Sequence, residues 1–377
     1  MLRLLHIDNY KIHKHLRLEL GNLTVLTGLN SSGKSSVIQS LLLLRQSYQQ
    51  NVLNEGLSLN GDLLSIGLCR DALCQMADED YMSFGIDGGH GLSTWRWDAS
   101  DGVLGKDFFS LLQGPDPKML QESSLFTNNF QYISAARQEP SESYPLNTNM
   151  VESRRQLSQK YGKCELTAHF LYHFGVAKKL SVLPGLVHRA GESAELLAQV
   201  SSWERVISPD VVVTPEKGDK SYSLKYAYEI GGDTTPAYSA INVGFGLSYA
   251  LPIVVALLAS ERDSLLLIEN PEAHLHEAAQ SELGMMIARA AEAGIQVIVE
   301  THSNHVLNGI LMASKRFEEE GIGIDRNNVK LYYMKKAADG LQSVAEEVKI
   351  VGDGKIDHQP EGFFTRQDAD MTYLLGF

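Results

Sequence analysis

The chain has 377 residues, 44% hydrophobic and 21% charged, with a formal net charge of −13 and a sequence pI near 5.4. That acidity excludes a protein that coats nucleic acid through bulk positive charge, while leaving room for a local groove. Three cysteines (Cys69, Cys74, Cys164) supply neither a disulfide framework nor a metal-ligand quartet. No apolar run reaches about 18 residues, and the opening MLRLLHIDNYKIHKH lacks the apolar core of a signal peptide, so a cytoplasmic protein with no membrane partner is expected.

In chain order, residues 2–20 alternate well enough to predict two antiparallel strands running into a buried strand over 22–28, NLTVLTG. That strand opens into GLNSSGKSS at 28–36, which fits the phosphate-loop pattern of Gly, four free positions, then Gly-Lys-Ser. Gly28 and Gly33 let backbone N–H groups curl around a triphosphate. Lys34 would reach the β- and γ-phosphates, and the Ser35 hydroxyl would hold Mg²⁺. A helix predicted over 35–48 turns its positive N-terminal end toward the phosphates. Strand, loop and helix together predict ATP binding.

Residues 51–82 are mixed and glycine-punctuated, and YMSFGIDGG and LSTWRWDAS read as hairpin strands around Gly88-Gly89. Residues 101–121 read as irregular, and 128–140 as a buried strand ending in a polar loop. The loop-like stretch 139–150 marks a boundary, the pattern over 151–203 is helical, and two strands follow at ISPDVVVTP and KSYSLKYAYEI. No internal repeat or sustained heptads occur, which excludes a long coiled-coil arm. The basic stretches 11–17 and 153–163 read first as solvated faces.

The last third is strongly patterned. INVGFGLSYALPIVVALLAS has a glycine-rich start opening into an apolar helix, and DSLLLIENPEAHLH is a buried strand ending in an acid. An amphipathic helix over 277–294 and the strand IQVIVE follow, a parallel βαβ unit whose functional residues belong at the carboxyl ends of its strands. Glu269 sits where a Walker B run ends, the place for a carboxylate that fixes the Mg²⁺ held by Ser35. His274 and His276 alternate as HLH without a carboxylate partner and read as structural. GDGK near Gly352 reads as a turn.

The order GLNSSGKSS, VGFGLS, LLLIENPEAHLH, VIVETHS resembles an ABC-type ATPase head, in wording close to the small bacterial AAA-like ATPases related to the overcoming-lysogenization-defect (OLD) and SMC families. The resemblance covers residues 1–50 and about 240–377 well and the middle poorly. It implies an α/β P-loop NTPase fold: antiparallel N-terminal strands, a parallel core sheet and a mostly helical insert. The implied division is an N-terminal lobe over 1–140, the insert over 141–205 and a C-terminal lobe over 206–377.

By the same resemblance, Gly28, Asn30, Ser31, Ser32, Gly33, Lys34, Ser35 and Ser36 form the nucleotide loop. Glu269 is the Walker B acid and His302 the switch histidine at the γ-phosphate. Gly244 and Gly246, with Asn242 and Ser248, form the signature segment, which touches ATP held by a second protomer. PEAHLH takes the D-loop position at the dimer seam. Gln131 or Gln138 is the Q-loop residue.

The sequence departs from that pattern at Asn270, where relatives usually carry the glutamate that activates water. Asparagine orients water but takes no proton at neutral pH. Glu272, two residues on, is a candidate substitute. The expected protein is therefore a slow ATPase with Mg²⁺ as cofactor, dimerising head to head and switching a separate effector, nuclease-like in a defence setting. About 75 residues follow His302, without the clustered acids or length of a nuclease domain. The rival expectation is a DNA repair or recombination ATPase that clamps nucleic acid itself.

Overall fold

The computed structural model describes residues 1–361 and 363, apart from 90, 117–122, 189, 190, 192 and 339. Of the residues after His302 read above as too few for a nuclease domain, only 339, 362 and 364–377 lie outside the described residues. Alternation at the N-terminus folds as read. Strands β1 (Leu4–Tyr10) and β2 (His13–Glu19) pair antiparallel and bury Leu5, Ile7, Leu16 and Leu18. Strand β3 (Leu23–Gly28) then leaves for a second sheet and helix α1 (Lys34–Gln49) follows it. Strand β4 (Gly56–Ser58), the short α2 (Cys69–Ala72), and strands β5 (Tyr81–Asp87), β6 (Leu92–Asp98) and β7 (Phe108–Gln113) come next. They complete an antiparallel sheet of order β2-β1-β5-β6-β7-β4. Strand β7 lies inside the stretch read as irregular. Only Phe109 of its six residues is buried, so it has little period-2 signal, and pairing with both β6 and β4 holds it extended.

Strand β8 (Phe130–Ile133) returns to the second sheet, and β9 (Tyr144–Pro145) follows. The helical reading of 151–203 is only partly right. Helices α3 (Thr167–Phe170) and α4 (Leu196–Ile207) form, with wide π-type turns at Asn149–Ser153 and Leu171–Ala177, but loops separate them. Side-chain acceptors take backbone N–H groups that a helix would use: Asn147 from Met150, Gln131 from Leu157, Glu165 from Gln159. Arg155, Tyr161 and Cys164 also stand at positive φ.

Strands β10 (Val211–Lys217) and β11 (Ser221–Ile230) form the expected hairpin, extended by β12 (Asp233–Thr234) and β13 (Tyr238–Ser239). Helix α5 (Phe245–Ala259), strand β14 (Leu265–Glu269), helix α6 (Glu277–Glu292), strand β15 (Gln296–Glu300) and helix α7 (Asn304–Glu320) follow. Strands β16 (Val329–Lys336) and β17 (Ser343–Val348) close the second sheet, whose order is β17-β16-β3-β15-β14-β8. All its neighbours are parallel except β16 with β17.

This central sheet is buried on both faces, as its unbroken apolar runs require. Leu265 and Leu267 point into a core shared with α1 and the antiparallel sheet. Leu266 and Ile268 point into a core shared with α4, α5, α6 and α7. Val151, Leu157 and Trp203 of the middle segment pack into that same helical core, so boundaries at 140 and 205 are kept as a proposed division of one packed unit. No helix among the described residues is long and apolar enough to cross a membrane.

One polar group inside the helical core has a measurable consequence. Glu204 of α4 is fully buried and neither carboxylate oxygen has a hydrogen-bond partner, so burial raises its pKa well above the ordinary 4.5. With the folded-state pKa above the unfolded one, its contribution is fully present below pH 4.5 and is lost as pH climbs. Replacing Glu204 with Gln should flatten that decline. The wild type should lose stability relative to the variant as pH rises above about 4.5. Thermal unfolding at several pH values checks this, and a stability gap independent of pH would assign the decline to another group.

Candidate nucleotide site

The loop after β3 adopts the backbone that its glycines allow. Gly28 has φ +133°, and a Cβ there would lie 2.1 Å from the Met334 carbonyl oxygen of β16. Gly33 has φ +93°, caps α1, and a Cβ there would lie 2.6 Å from the His13 ring. Between them Ser31 stands at φ 59°, with Leu29, Asn30, Ser31 and Ser35 exposed. Ser36 begins the helical ladder by donating its N–H to the Gly33 carbonyl at 3.1 Å. The loop rests on two supports absent from the sequence reading. The His13 ring reaches the Gly33 carbonyl at 2.9 Å through Nε2, and the Ser343 hydroxyl donates to the Ser32 carbonyl at 2.6 Å. Burial pulls His13 down to about 4, so its ring is neutral and Nε2–H donates.

Lys34 folds back over the loop and donates to the carbonyls of Gly28 at 3.1 Å and Leu29 at 2.7 Å. Burial lowers its pKa, opposed by Glu300 and Glu272. The acids around it come from two adjacent strand ends. Strand β15 lies between β3 and β14, and the register sets Glu300 beside Leu26 on one side and Glu269 on the other. The Ser35 hydroxyl donates to Glu300 Oε1 at 2.8 Å. Glu300 is only 5% exposed and its Oε2 has no partner. Burial lifts its pKa to about 7 against the Ser35 hydrogen bond, with the Glu269 charge adding to the rise.

Glu269 does not meet Ser35. Its Oε2 accepts from the Ala135 N–H at 3.2 Å and its carboxylate from the Tyr132 phenol, while burial raises its pKa. Arg137 donates to the main-chain carbonyls of Glu269 at 2.9 Å and Asn270 at 2.8 Å and lies over the Tyr249 ring. Asn270 takes φ 44°, which asparagine tolerates, and donates its N–H to the Glu300 carbonyl. Glu272 accepts from the Thr301 hydroxyl at 2.7 Å and the His302 N–H at 2.8 Å, so it anchors the end of β15. The His302 ring hydrogen-bonds to the backbone of Gly28. Burial, then the Lys34 charge, lowers its pKa and keeps it neutral at pH 7.

Lys34, Ser35, Glu272 and His302 thus converge at the loop, with Glu269 and Asn270 on the neighbouring strand. Glu300, Arg137 and His13 are the residues that sequence reading missed. A signal for Glu300 existed: QVIVE ends in an acid as LLLIE does. Gln131 is committed elsewhere, bonded to the Arg155 carbonyl and the Leu157 N–H, whereas Gln138 lies on the loop beyond Arg137.

The signature segment stands apart from this cluster. Gly244 caps α5 with open space around it, and a Cβ at Gly246 would approach the His274 carbonyl oxygen to 2.8 Å. Ile241 and Phe245 are 47% and 51% exposed. His274 packs between Phe245 and Tyr249, with ring centroids 5.7 and 4.4 Å away, and the His276 ring caps α6. Among the described residues no group of three or more His, Cys, Asp or Glu side chains is placed to hold a metal unaided. GDGK is a turn, with Asp353 N–H on Glu318.

The site fits ATP and Mg²⁺ on three observations: a backbone cradle that a Cβ would fill, a lysine at the loop, and an orphaned carboxylate oxygen beside the Ser35 hydroxyl. The comparisons agree with this fold. Residues 146–308, less than half of the chain and not including the phosphate loop, match the family described as "AAA domain, putative AbiEii toxin, Type IV TA system". An Smc head bound to the C-winged helix domain of ScpA superposes with TM-score 0.54 at 11% identity, covering 93% of this chain and 98% of that one. The Pyrococcus furiosus Smc head domain with an extended coiled coil, bound to the C-terminal domain of ScpA, gives 0.53 at 12%, covering 92% and 96%. No curated protein matches. The chain has the P-loop NTPase fold of an ABC/AAA-like ATPase head resembling SMC-related heads.

The loop geometry carries a direct test. Gly33→Ala places a side chain at φ +93° against His13, so nucleotide affinity should fall at least roughly 10-fold from backbone strain alone. Adding His13→Ala removes the ring but leaves both the strain and the Ile12 Cγ2 contact at 2.7 Å, so it should restore little. Titration with a fluorescent ATP analogue reads both, and wild-type affinity in Gly33→Ala would mean that this loop does not cradle the ligand.

Proposed function

We propose that this protein is an ATP-binding, slowly hydrolysing switch that dimerises around nucleotide through its signature face and controls a separate effector, nuclease-like, in a cytoplasmic defence system. The observation that carries it is the convergence of Lys34, Ser35, Glu272 and His302 on one phosphate loop. Lys34 exchanges two loop carbonyls for the β/γ-phosphates, and Ser35 with a strand-end carboxylate would hold Mg²⁺. When bound, the metal neutralises charge on the phosphate oxygens. His302, neutral at pH 7 and able to donate, would serve the γ-phosphate, and Glu272 accepts its backbone N–H.

Asn270 occupies the place of the usual base, and Glu272 already receives two hydrogen bonds, so neither offers an unencumbered strong base. Turnover well below the enzyme median of about 10 s⁻¹ follows. The exposed Ile241 and Phe245 at the start of α5 support a second copy as the partner of that face. The effector reading draws on the toxin–antitoxin wording of the matched family and on the Smc heads, which carry a ScpA domain. The direct DNA-clamp reading has less support. In the two basic stretches Lys14 pairs with Asp78, His15 with Asp8, Arg155 with Glu261 and Lys160 with Asp62.

Two experiments test this. A non-hydrolysable ATP analogue should double the mass in solution, measured by light scattering. Lys34→Ala should abolish the shift through lost binding, and Phe245→Asp should abolish it with binding retained. A wild-type mass indifferent to nucleotide would count against the switch.

The second experiment is a double-mutant cycle on turnover. If Glu272 acts by positioning His302, Glu272→Ala and His302→Ala should each slow hydrolysis with little change in ATP affinity, and the double variant should be no slower than the worse single. Additive losses would make Glu272 an independent participant, the substitute base.

A further inference from the structure

We infer that Glu300, at the end of β15, is the carboxylate that holds the metal side of the site together with Ser35, and that Glu269 is a positioning residue for the turn over 134–137. The inference rests on the nucleotide reading above and assigns one of its roles to a different side chain. A phosphate-loop serine offers a lone pair to the metal and must send its hydroxyl proton to an acceptor, so that acceptor lies on the metal side. Here the acceptor is Glu300 Oε1 at 2.8 Å.

Glu300 also keeps one oxygen in reserve. Oε2 has no hydrogen-bond partner although the side chain is 95% buried, an arrangement that costs free energy unless something binds there. A hard divalent cation, which takes oxygen ligands, satisfies that atom. Glu269 shows the opposite pattern. Its carboxylate is engaged by the Ala135 N–H and the Tyr132 phenol, and its carbonyl by Arg137.

Topology explains the exchange. Strand β15 is inserted between the phosphate-loop strand and the Walker B strand, so its last residue stands one strand nearer Ser35 than Glu269 does. An acid on that inserted strand therefore intercepts the serine. Glu269 is left to fix the 134–137 turn, where Arg137 ties the Walker B turn to Tyr249 of α5.

The test uses the full chain with Glu300→Gln, Glu300→Asp and Glu269→Gln. Binding of a fluorescent ATP analogue is followed across a Mg²⁺ titration, and bound Mn²⁺ is counted by electron paramagnetic resonance. Glu300→Gln should raise the Mg²⁺ needed for half-maximal tightening by about 10- to 100-fold, leaving affinity in EDTA at or above wild type. Glu300→Asp should recover part of the metal effect, and Glu269→Gln should stay within about threefold of wild type. A metal shift carried by Glu269→Gln but not by Glu300→Gln overturns the inference and leaves the nucleotide reading standing. Should Glu300→Gln fail to fold, Glu269→Gln decides alone, a preserved midpoint supporting the inference and a lost one overturning it. A wild type that binds no nucleotide at any Mg²⁺ concentration overturns both.

Discussion

The parallel register of β3, β15 and β14 is the constraint on which the site depends. Parallel neighbours lie about 4.8 Å apart, so Glu300, matched with Glu269 on one side and with Leu26, two residues before Gly28, on the other, stands with them at one edge. A one-residue slip would turn every side chain to the opposite face. Burial of both faces forbids it, because Leu266 and Ile268 serve one core while Leu265 and Leu267 serve the other. The geometry of the phosphate loop is therefore underwritten by apolar packing far from any phosphate.

At that edge the electrostatics are arranged around buried acids. Glu300 and Glu269 are neighbours in a poorly solvated place, and both are pushed toward the protonated form. Lys34 lies close enough to oppose the rise at Glu300, and it sits on loop carbonyls that a triphosphate can replace. His302 stays neutral beside that cation, which suits a donor more than a counter-ion. Glu272 closes the arrangement by binding two successive groups of the β15 end.

A second line of contacts runs outward from the same edge. Arg137 grips the main chain at Glu269 and Asn270 and lies on Tyr249, whose ring packs on His274. The Walker B turn, the start of α5 and the segment before α6 are thus in continuous contact, with Phe245 and Ile241 exposed at its outer end. Contacts of this kind give a nucleotide-dependent change at the strand ends a physical route to the proposed dimer face.

The phosphate loop, the strand–helix–strand unit after residue 263 and the buried acid of LLLIE were legible because local chemistry dictates them. Only glycine tolerates the backbone at 28 and 33, and only unbroken apolar runs suit a sheet covered on both faces. Strand β7 and the loops at 154–166 and 178–188 were not legible. Pairing partners and side-chain acceptors from distant positions, such as Gln131 for the Leu157 N–H, override local pattern there. The same holds for His13, which reads as part of a basic stretch until the β1–β2 hairpin carries it beneath Gly33. Which acid meets Ser35 is likewise a tertiary decision. LLLIE and QVIVE look alike along the chain, and only the insertion of β15 beside β3 brings Glu300 to the serine and leaves Glu269 one strand away.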